Sequence, residues 1–182
     1  MKRELVKFSG TDKLMLTPCE NTLYELCALG LQKKKTLTVE LKVPNSSCKI
    51  VCNYRVGQKE LFDLVTTVVH QAPNTSCEIR IRGVLADGGI STYVGKVVVA
   101  KAARGAVARL DDKVLVIGSG IRNHAEPIMQ IETNEVTAIH TTSISRIDAA
   151  QLYYLQSRGL AQKEAEKLLA DAFLASPEAN AL

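Results

Sequence analysis

The stretch TLTVELKVPNSSCKIVCNYRV, Thr36 to Val56, decides how this chain folds. Its first eight residues alternate, with Leu37, Val39, Leu41 and Val43 on one face and Thr36, Thr38, Glu40 and Lys42 on the other. Successive side chains of an extended strand point to opposite sides, so this alternation predicts a strand with one buried face. PNSS then interrupts it with turn residues. The alternation resumes through Cys48, Ile50, Cys52, Tyr54 and Val56, so a second strand follows with no helix between them.

The pattern extends in both directions along the chain. EIRIRGV (78–84) places Ile79 and Ile81 inward and Arg80 and Arg82 outward. LVTTVVH, YVGKVVVA, DKVLVIG, EPIMQIE and VTAIH are further β-type runs, broken by APNTS, ADGG, GSG and ETNE. Eight or more short strands therefore precede the first helical signal near residue 148, which leaves sandwich, barrel and solenoid open. KVVVA and KVLVIG lack clean alternation and read as strands covered on both faces. Short strands with such frequent breaks suit a coil of stacked rungs, although no strict hexapeptide repeat is present.

From residue 148 the period changes. Asp148 is an N-cap, with Gln151 three residues on as the second half of a capping box. Leu152 and Leu155 share a face beside Tyr153 and Tyr154, and Gly159 supplies a left-handed stop. A second helix carries Ala165, Leu168, Leu169, Ala172 and Phe173 as its apolar stripe, opposite Lys163, Glu164, Glu166 and Lys167. Pro177 is expected to close the ordered region.

Composition excludes several functions. The 182 residues are 46% hydrophobic and 23% charged, the mix of an ordinary globular chain with one sizeable core. The only basic run, Lys33-Lys34-Lys35, has no interleaved aromatics for base stacking and reads as a solvated turn, so nucleic acid is not an expected partner. No stretch reaches membrane-spanning length and the start has no signal-peptide core, so neither membrane nor export is expected. Cys19, Cys27, Cys48, Cys52 and Cys77 form an odd set without CxxC spacing, which fits a reducing cytoplasm. No nucleophile elbow accompanies Ser119, Ser143 or the three histidines, and GSGIR lacks the dinucleotide fingerprint.

Residues 125–173, AEPIMQIETNEVTAIHTTSISRIDAAQLYYLQSRGLAQKEAEKLLADAF, resemble the C-terminal signature of the SufB/SufD proteins of the SUF iron–sulfur cluster assembly system. That signature has a P-x-L-E-I strand, a histidine-bearing Ser/Thr strip, a helix of the form I-D-x-x-Q-L-F-Y-L-x-S-R-G-I, and then E-A-x-x-L-L-x-x-A-F. The resemblance continues upstream through residues 70–108, where H-x-A-P-x-T, R-G-V-L and Y-x-G-K-V-x-V elements keep family order. It covers about residues 70–175, whereas residues 1–65 agree only in strand character. It implies a right-handed parallel β-helix over residues 1–147 and a helical hairpin over 148–182, with an unbroken coil expected across 36–147. Family members are usually more than twice this length and carry an N-terminal helical domain, so a short form of the scaffold is implied.

Function and sites follow from the same resemblance. It implies a non-enzymatic scaffold that pairs with a like subunit, as homodimer or heterodimer, and works with a SufC-like ABC-type ATPase docked on the hairpin through Leu152, Tyr153, Tyr154, Leu155, Arg158 and Gly159. As a docking face these residues offer the aromatic and Arg anchors that interfaces favour. His140 matches a family histidine near the subunit interface, and its imidazole is a sound iron ligand for a transient iron–sulfur cluster. The plainer reading is a strand-end histidine bonded to Thr141 or Thr142.

The chain also departs from the pattern. Asp112 stands where B-type subunits carry a cysteine, Thr141 where glutamate often follows the histidine, and Ala138 where D-type members can carry another cysteine. No cysteine follows Cys77, and a carboxylate is a poor substitute for thiolate toward a soft cluster. A second reading is therefore a cluster-free interaction module that keeps only ATPase or subunit docking. A third, a polysaccharide-active β-helix enzyme, would want clustered acids and exposed aromatics along one face, and neither is evident. Cys48 and Cys52 lie about 13 Å apart along one strand and read as buried small hydrophobes. Cys77 near His70 reads as a packed rung corner, and His124 as a solvated loop side chain.

Overall fold

The structure, a computed structural model, describes residues 2–7, 12–27 and 33–175; Pro177 lies outside them. Eleven strands and two helices follow in order among these residues: β1 (Lys2–Val6), β2 (Lys13–Leu16), β3 (Thr22–Cys27), β4 (Lys35–Leu41), β5 (Ser47–Val56), β6 (Leu61–His70), β7 (Ser76–Leu85), β8 (Ile90–Val99), β9 (Ala106–Val116), β10 (Arg122–Ile131), β11 (Val136–Arg146), α1 (Ala149–Ser157) and α2 (Gln162–Ala175). Odd-numbered strands form one sheet in the order β1-β3-β5-β7-β9-β11, and even-numbered strands a second in the order β10-β8-β6-β4-β2. Every pairing is parallel. Each strand thus hydrogen-bonds to the strand two elements away, and the chain is a parallel β-helix.

The register defines the coil. Ile50 stacks on Ile79, and Ile79 on Leu110, so each coil returns the chain to the same column through one odd and one even strand. The coil begins narrower: the step from Lys2 to its partner Thr22 is shorter than the step from Ile50 to Ile79. The repeat is visible in the corners. PNSSC (44–48) recurs as PNTSC (73–77) one coil later. Asn45, Asn74 and Gly105 occupy one corner of consecutive coils in left-handed backbone, at φ 61, 55 and 70. Asparagine and glycine tolerate that region where other side chains clash. The amides of all three reach the next coil, at Pro73 O, Arg104 O and Glu135 O.

Alternation places the core. Cys48, Ile50, Cys52, Tyr54 and Val56 are all buried, as are Leu37, Val39 and Leu41. Val43, expected on that face, is exposed because β4 ends at Leu41 and the chain has already turned into the corner. Lys35 is likewise not in a turn: it opens β4 and its Nζ lies 2.5 Å from Asp12 Oδ1. Buried hydroxyls are paired across the core, Tyr54 Oη with Ser91 Oγ at 2.8 Å and Tyr93 Oη with Thr66 Oγ1 at 2.8 Å.

Helix α2 lies on the outer face of the odd-strand sheet. Val84 and Leu115 point outward yet are buried, because Ala170 packs on them with Phe173 and Leu174. The Arg55 guanidinium pairs with Asp171, and Asn53 Nδ2 donates to Leu174 O at 3.2 Å. Arg82, expected in solvent, is also buried, donating to the backbone carbonyls of Ile81 and Asp111 and pairing with the Asp111 carboxylate. The α2 stripe is rotated from its expected position: Ala165 and Ala170 are buried, whereas Leu168 and Ala172 are exposed. Among the described residues no helix is long and apolar enough to cross a membrane.

Candidate functional site

The C-terminal end of the coil gathers the candidate residues. There, among the described residues, β11 pairs only with β9, and β10 only with β8, so each strand presents one unpaired edge. A parallel edge of that length is a row of amides and carbonyls ready for another strand. Pro127 lies on β10, where a missing N–H is tolerated because one side carries no ladder.

His140 sits in the middle of β11. It is in register with Leu110, which in turn stacks on Ile79 and Ile50, so by parity its ring belongs to the inward-facing column. It is nevertheless exposed, because no further rung covers that face. Thr142, next in the same parity, is in register with Asp112, and Ala138 with Ala108. The strand β11 therefore offers one imidazole and hydroxyls, and no thiolate. Among the described residues, no group of three His, Cys, Asp or Glu side chains is placed to hold a metal ion.

The cysteines lie elsewhere. Cys48 and Cys77 are in register on β5 and β7 and both are buried, with their thiols pushed up by loss of solvent, Cys77 to about 12. Cys52 is buried two alternations along, while Cys19 is exposed. His70 and Cys77 do meet: His70 Nε2 lies 3.3 Å from Cys77 Sγ, and His70 Nδ1 lies 2.8 Å from Thr75 Oγ1. The Thr75 hydroxyl donates to Ala72 O at 3.0 Å, so its oxygen must accept from Nδ1–H, and Nε2 then accepts from the thiol. Burial holds the ring neutral by lowering its pKa to about 4. This is a satisfied rung corner. His124, expected in a loop, instead sits on β10 with an outward side chain 3.6 Å from Glu126.

The hairpin is shaped by its caps. Asp148 Oδ1 accepts from Ala150 N at 2.8 Å, which starts α1. At its other end Gly159 N donates to Gln156 O and Leu160 N to Leu155 O, the paired bonds of a Schellman turn, with Gly159 at φ 95. No residue of α1 is buried. Tyr153 is 74% exposed and Tyr154 56%, with Leu152 and Leu155 half-buried and Leu168 of α2 exposed nearby in the hairpin. Arg158 lies over the Tyr154 ring at 5.3 Å, a cation–π contact that holds both side chains on the surface. The hairpin thus carries an uncovered aromatic face on one helix and is anchored to the coil by the other.

Asp112 was the residue whose surroundings the sequence concealed. It faces inward on β9 with 1% of its surface exposed, and among the described residues neither carboxylate oxygen has a hydrogen-bond partner. Desolvation raises its pKa to about 6, against the lowering influence of Arg82, with Asp111 raising it further.

Comparison with known proteins agrees with this architecture. The family described as "SUF system FeS cluster assembly, SufBD core domain" matches residues 20–173. The iron–sulfur cluster assembly protein SufD of Bacillus subtilis is 37% identical over 128 residues, covering 70% of this chain and 29% of that protein. A SufBD family protein of Mycobacterium bovis is 32% identical over 118 residues, 65% of this chain and 14% of that protein. One from Staphylococcus saprophyticus is 27% identical over 118 residues, 65% of this chain and 25% of that protein. The matched stretch therefore spans less than a third of the length of each of these relatives. With the coil, the capped hairpin and the match in hand, the chain belongs to the SufBD family of SUF iron–sulfur cluster assembly proteins.

Proposed function

We propose that this chain is a non-enzymatic scaffold component of SUF-type cluster assembly, which docks a SufC-like ATPase on its hairpin and pairs with a like subunit through the open end of its coil. The observation that carries the reading is what comes together at the C-terminal end of the coil. Among the described residues β10 and β11 each keep one edge without a ladder partner, and β11 leads directly into a helix with no buried residue and two exposed tyrosines. Aromatic and Arg side chains on a capped helix suit a docking face, and unpaired parallel edges suit a second β-helix.

The anchoring of α2 supports a mechanical role. A load on α1 passes through the Schellman turn to α2, and from there through the Arg55–Asp171 pair and the Val84–Leu115–Ala170 cluster to β5, β7 and β9. ATP-driven movement of a docked ATPase would then bear on β9, which adjoins the open-edge strand β11, and on β7 and β5 behind it. Iron and sulfide are cargo in this scheme. His140 offers an imidazole at the pairing surface, and the thiolates come from the partner, because the last rung supplies none. The absence of thiolate from that rung favours a second reading, an interaction module that docks the ATPase without touching the cluster.

Co-expression with a SufC-like ATPase tests the docking. Replacing Tyr154 and Leu155 by glutamate should abolish co-purification while the far-UV spectrum of the coil stays unchanged. Retained binding by the folded double variant refutes docking at this face. Anaerobic reconstitution with iron and sulfide, alone and with a cysteine-bearing second scaffold, separates the two readings: His140→Ala lowers cluster yield in the pair only if the chain shares in ligation.

A further inference from the structure

We infer that Asp112 is a proton-linked latch for the terminal strand: with its carboxyl protonated β11 stays closed over the core, and with it ionised β11 lifts from β9. The inference stands on the fold alone and does not depend on the proposed function.

The geometry begins with a column. Cys52, Ile81, Asp112 and Thr142 stack in register on β5, β7, β9 and β11, so a carboxylic acid occupies a position that apolar or small side chains fill in earlier coils. Both of its oxygens are buried and, among the described residues, unpartnered. A carboxylate in such a place loses its hydration and gains nothing in return, so the closed state favours the protonated acid. The charged and titratable groups around it do not compensate. Arg82 of β7 acts on it from the outer face but spends its donors on Asp111 and backbone carbonyls, and Asp111 is a like charge on the same strand. Lys113, the next residue of β9, lies 3.8 Å from Asp111. Tyr54 and Tyr93 of β5 and β8 feel its charge, but their hydroxyls are engaged with Ser91 and Thr66; Cys52 of β5 is the remaining titratable group in the column. From β11 the facing residue is Thr142, with His140 two positions before it.

What makes this a latch, not merely a destabilising residue, is position. Asp112 lies one strand from the open end, and among the described residues the ladder that covers it on that side is β11, held on one edge. The C-terminal half of β11 is exposed throughout. Lifting one edge strand exposes Asp112 to water without disturbing β5 or β7, whereas a carboxyl deeper in the coil could be reached only by global unfolding. Lifting β11 therefore releases the penalty on the ionised acid. The sign follows directly: a raised carboxyl pKa means that the closed state binds more protons, so opening increases as pH rises from about 4 to about 6 and is level above that. The shift to about 6 corresponds to an opening equilibrium about a hundredfold larger at the upper plateau, and about tenfold larger at pH 7.5 than at pH 5.

Amide hydrogen exchange on the full chain, corrected for intrinsic rates, tests this. Protection of β11 amides should fall about tenfold between pH 5 and pH 7.5, while β5 and β7 amides hold theirs. Asp112→Asn and Asp112→Leu should each make the β11 profile flat, and His140→Gln should leave it as in the wild type. A wild-type profile without that fall overturns the inference, whether or not either Asp112 variant folds. So does a slope that survives in Asp112→Asn or vanishes in His140→Gln, since the titrating group would then be another.

Discussion

Replacing Gly83 by alanine probes the tightest packing in the coil. Gly83 faces inward on β7, in register with Tyr54 on β5 and Val114 on β9. A Cβ there would lie 2.7 Å from Tyr54 Cε1 and closer still to Cζ and Oη. The tyrosine cannot swing away, because its ring stacks on Phe62 with centroids 3.7 Å apart and its hydroxyl is bonded to Ser91. One extra methyl in a filled core costs about 1–3 kcal/mol through forced shifts. Displacing the tyrosine also breaks a buried hydrogen bond worth about 1 kcal/mol. Gly83→Ala should therefore destabilise by about 2–4 kcal/mol, read as a lower urea midpoint at unchanged m. Relief should come from shortening the partner: Gly83→Ala combined with Tyr54→Leu should cost clearly less than the sum of the two single changes. A Gly83→Ala protein within about 0.5 kcal/mol of wild type, or strict additivity in the double variant, would refute the packing argument.

Other outcomes follow from neighbouring contacts. Tyr93→Phe removes a core hydroxyl and leaves Thr66 Oγ1 without that partner, so a loss of about 1–3 kcal/mol in urea unfolding is expected. Arg55→Ala breaks an ion pair in which both side chains are largely solvated, and should change global stability by no more than about 1 kcal/mol. His70 is held neutral, with its pKa lowered to about 4, so it costs stability as pH falls from about 6.5 towards 4; Asp112 costs stability as pH rises through nearly the same window. Global unfolding free energy should thus vary little between pH 4 and 6.5 in the wild type, and Asp112→Asn should uncover an acid-side loss of about 3 kcal/mol. Gly159→Val should weaken the Schellman turn through its positive φ and lower ATPase co-purification without shifting the urea midpoint of the coil.

Much of the architecture was legible because its cause is local. Period-two alternation is a property of the extended backbone itself, so the inner faces of β4, β5 and β7 could be read residue by residue, as could the Asp148 cap and the Gly159 stop. The recurrence of PNSSC as PNTSC was also present in the sequence, and comparing the chain with itself at long offset would have found the coil without any family resemblance. Alternation says nothing, however, about what lies beyond a face. Val84, Leu115 and Arg82 are outward by parity and buried in fact; α2 returns from the far end of the chain to cover the first two, and Arg82 is enclosed by its bonds to Asp111. The same return rotates the α2 stripe and leaves Leu168 in solvent.

The functional candidates divide along the same line. His140 and the hairpin tyrosines could be named from sequence, yet the exposure of His140 depends on where the stack of coils stops. That is a fact about the last ladder, since Ile50, Ile79 and Leu110 of the same column are buried in earlier coils. His70 and Cys77 lie near each other in the chain, but the corner geometry and the direction of the Thr75 hydroxyl bond decided which ring nitrogen faces the thiol. Asp112 shows the limit most clearly. In the sequence it is one of two adjacent acids in a charged stretch, as suited to solvent as Asp111. Register alone turns one outward to Arg82 and the other into the core, because a one-residue step along a strand exchanges the two faces. The local period determined that the chain is built of two-faced strands ending in a capped hairpin; the stacking of coils, set by hydrogen bonds between residues a full coil apart, decided which side chains meet, which are covered, and which acid is buried.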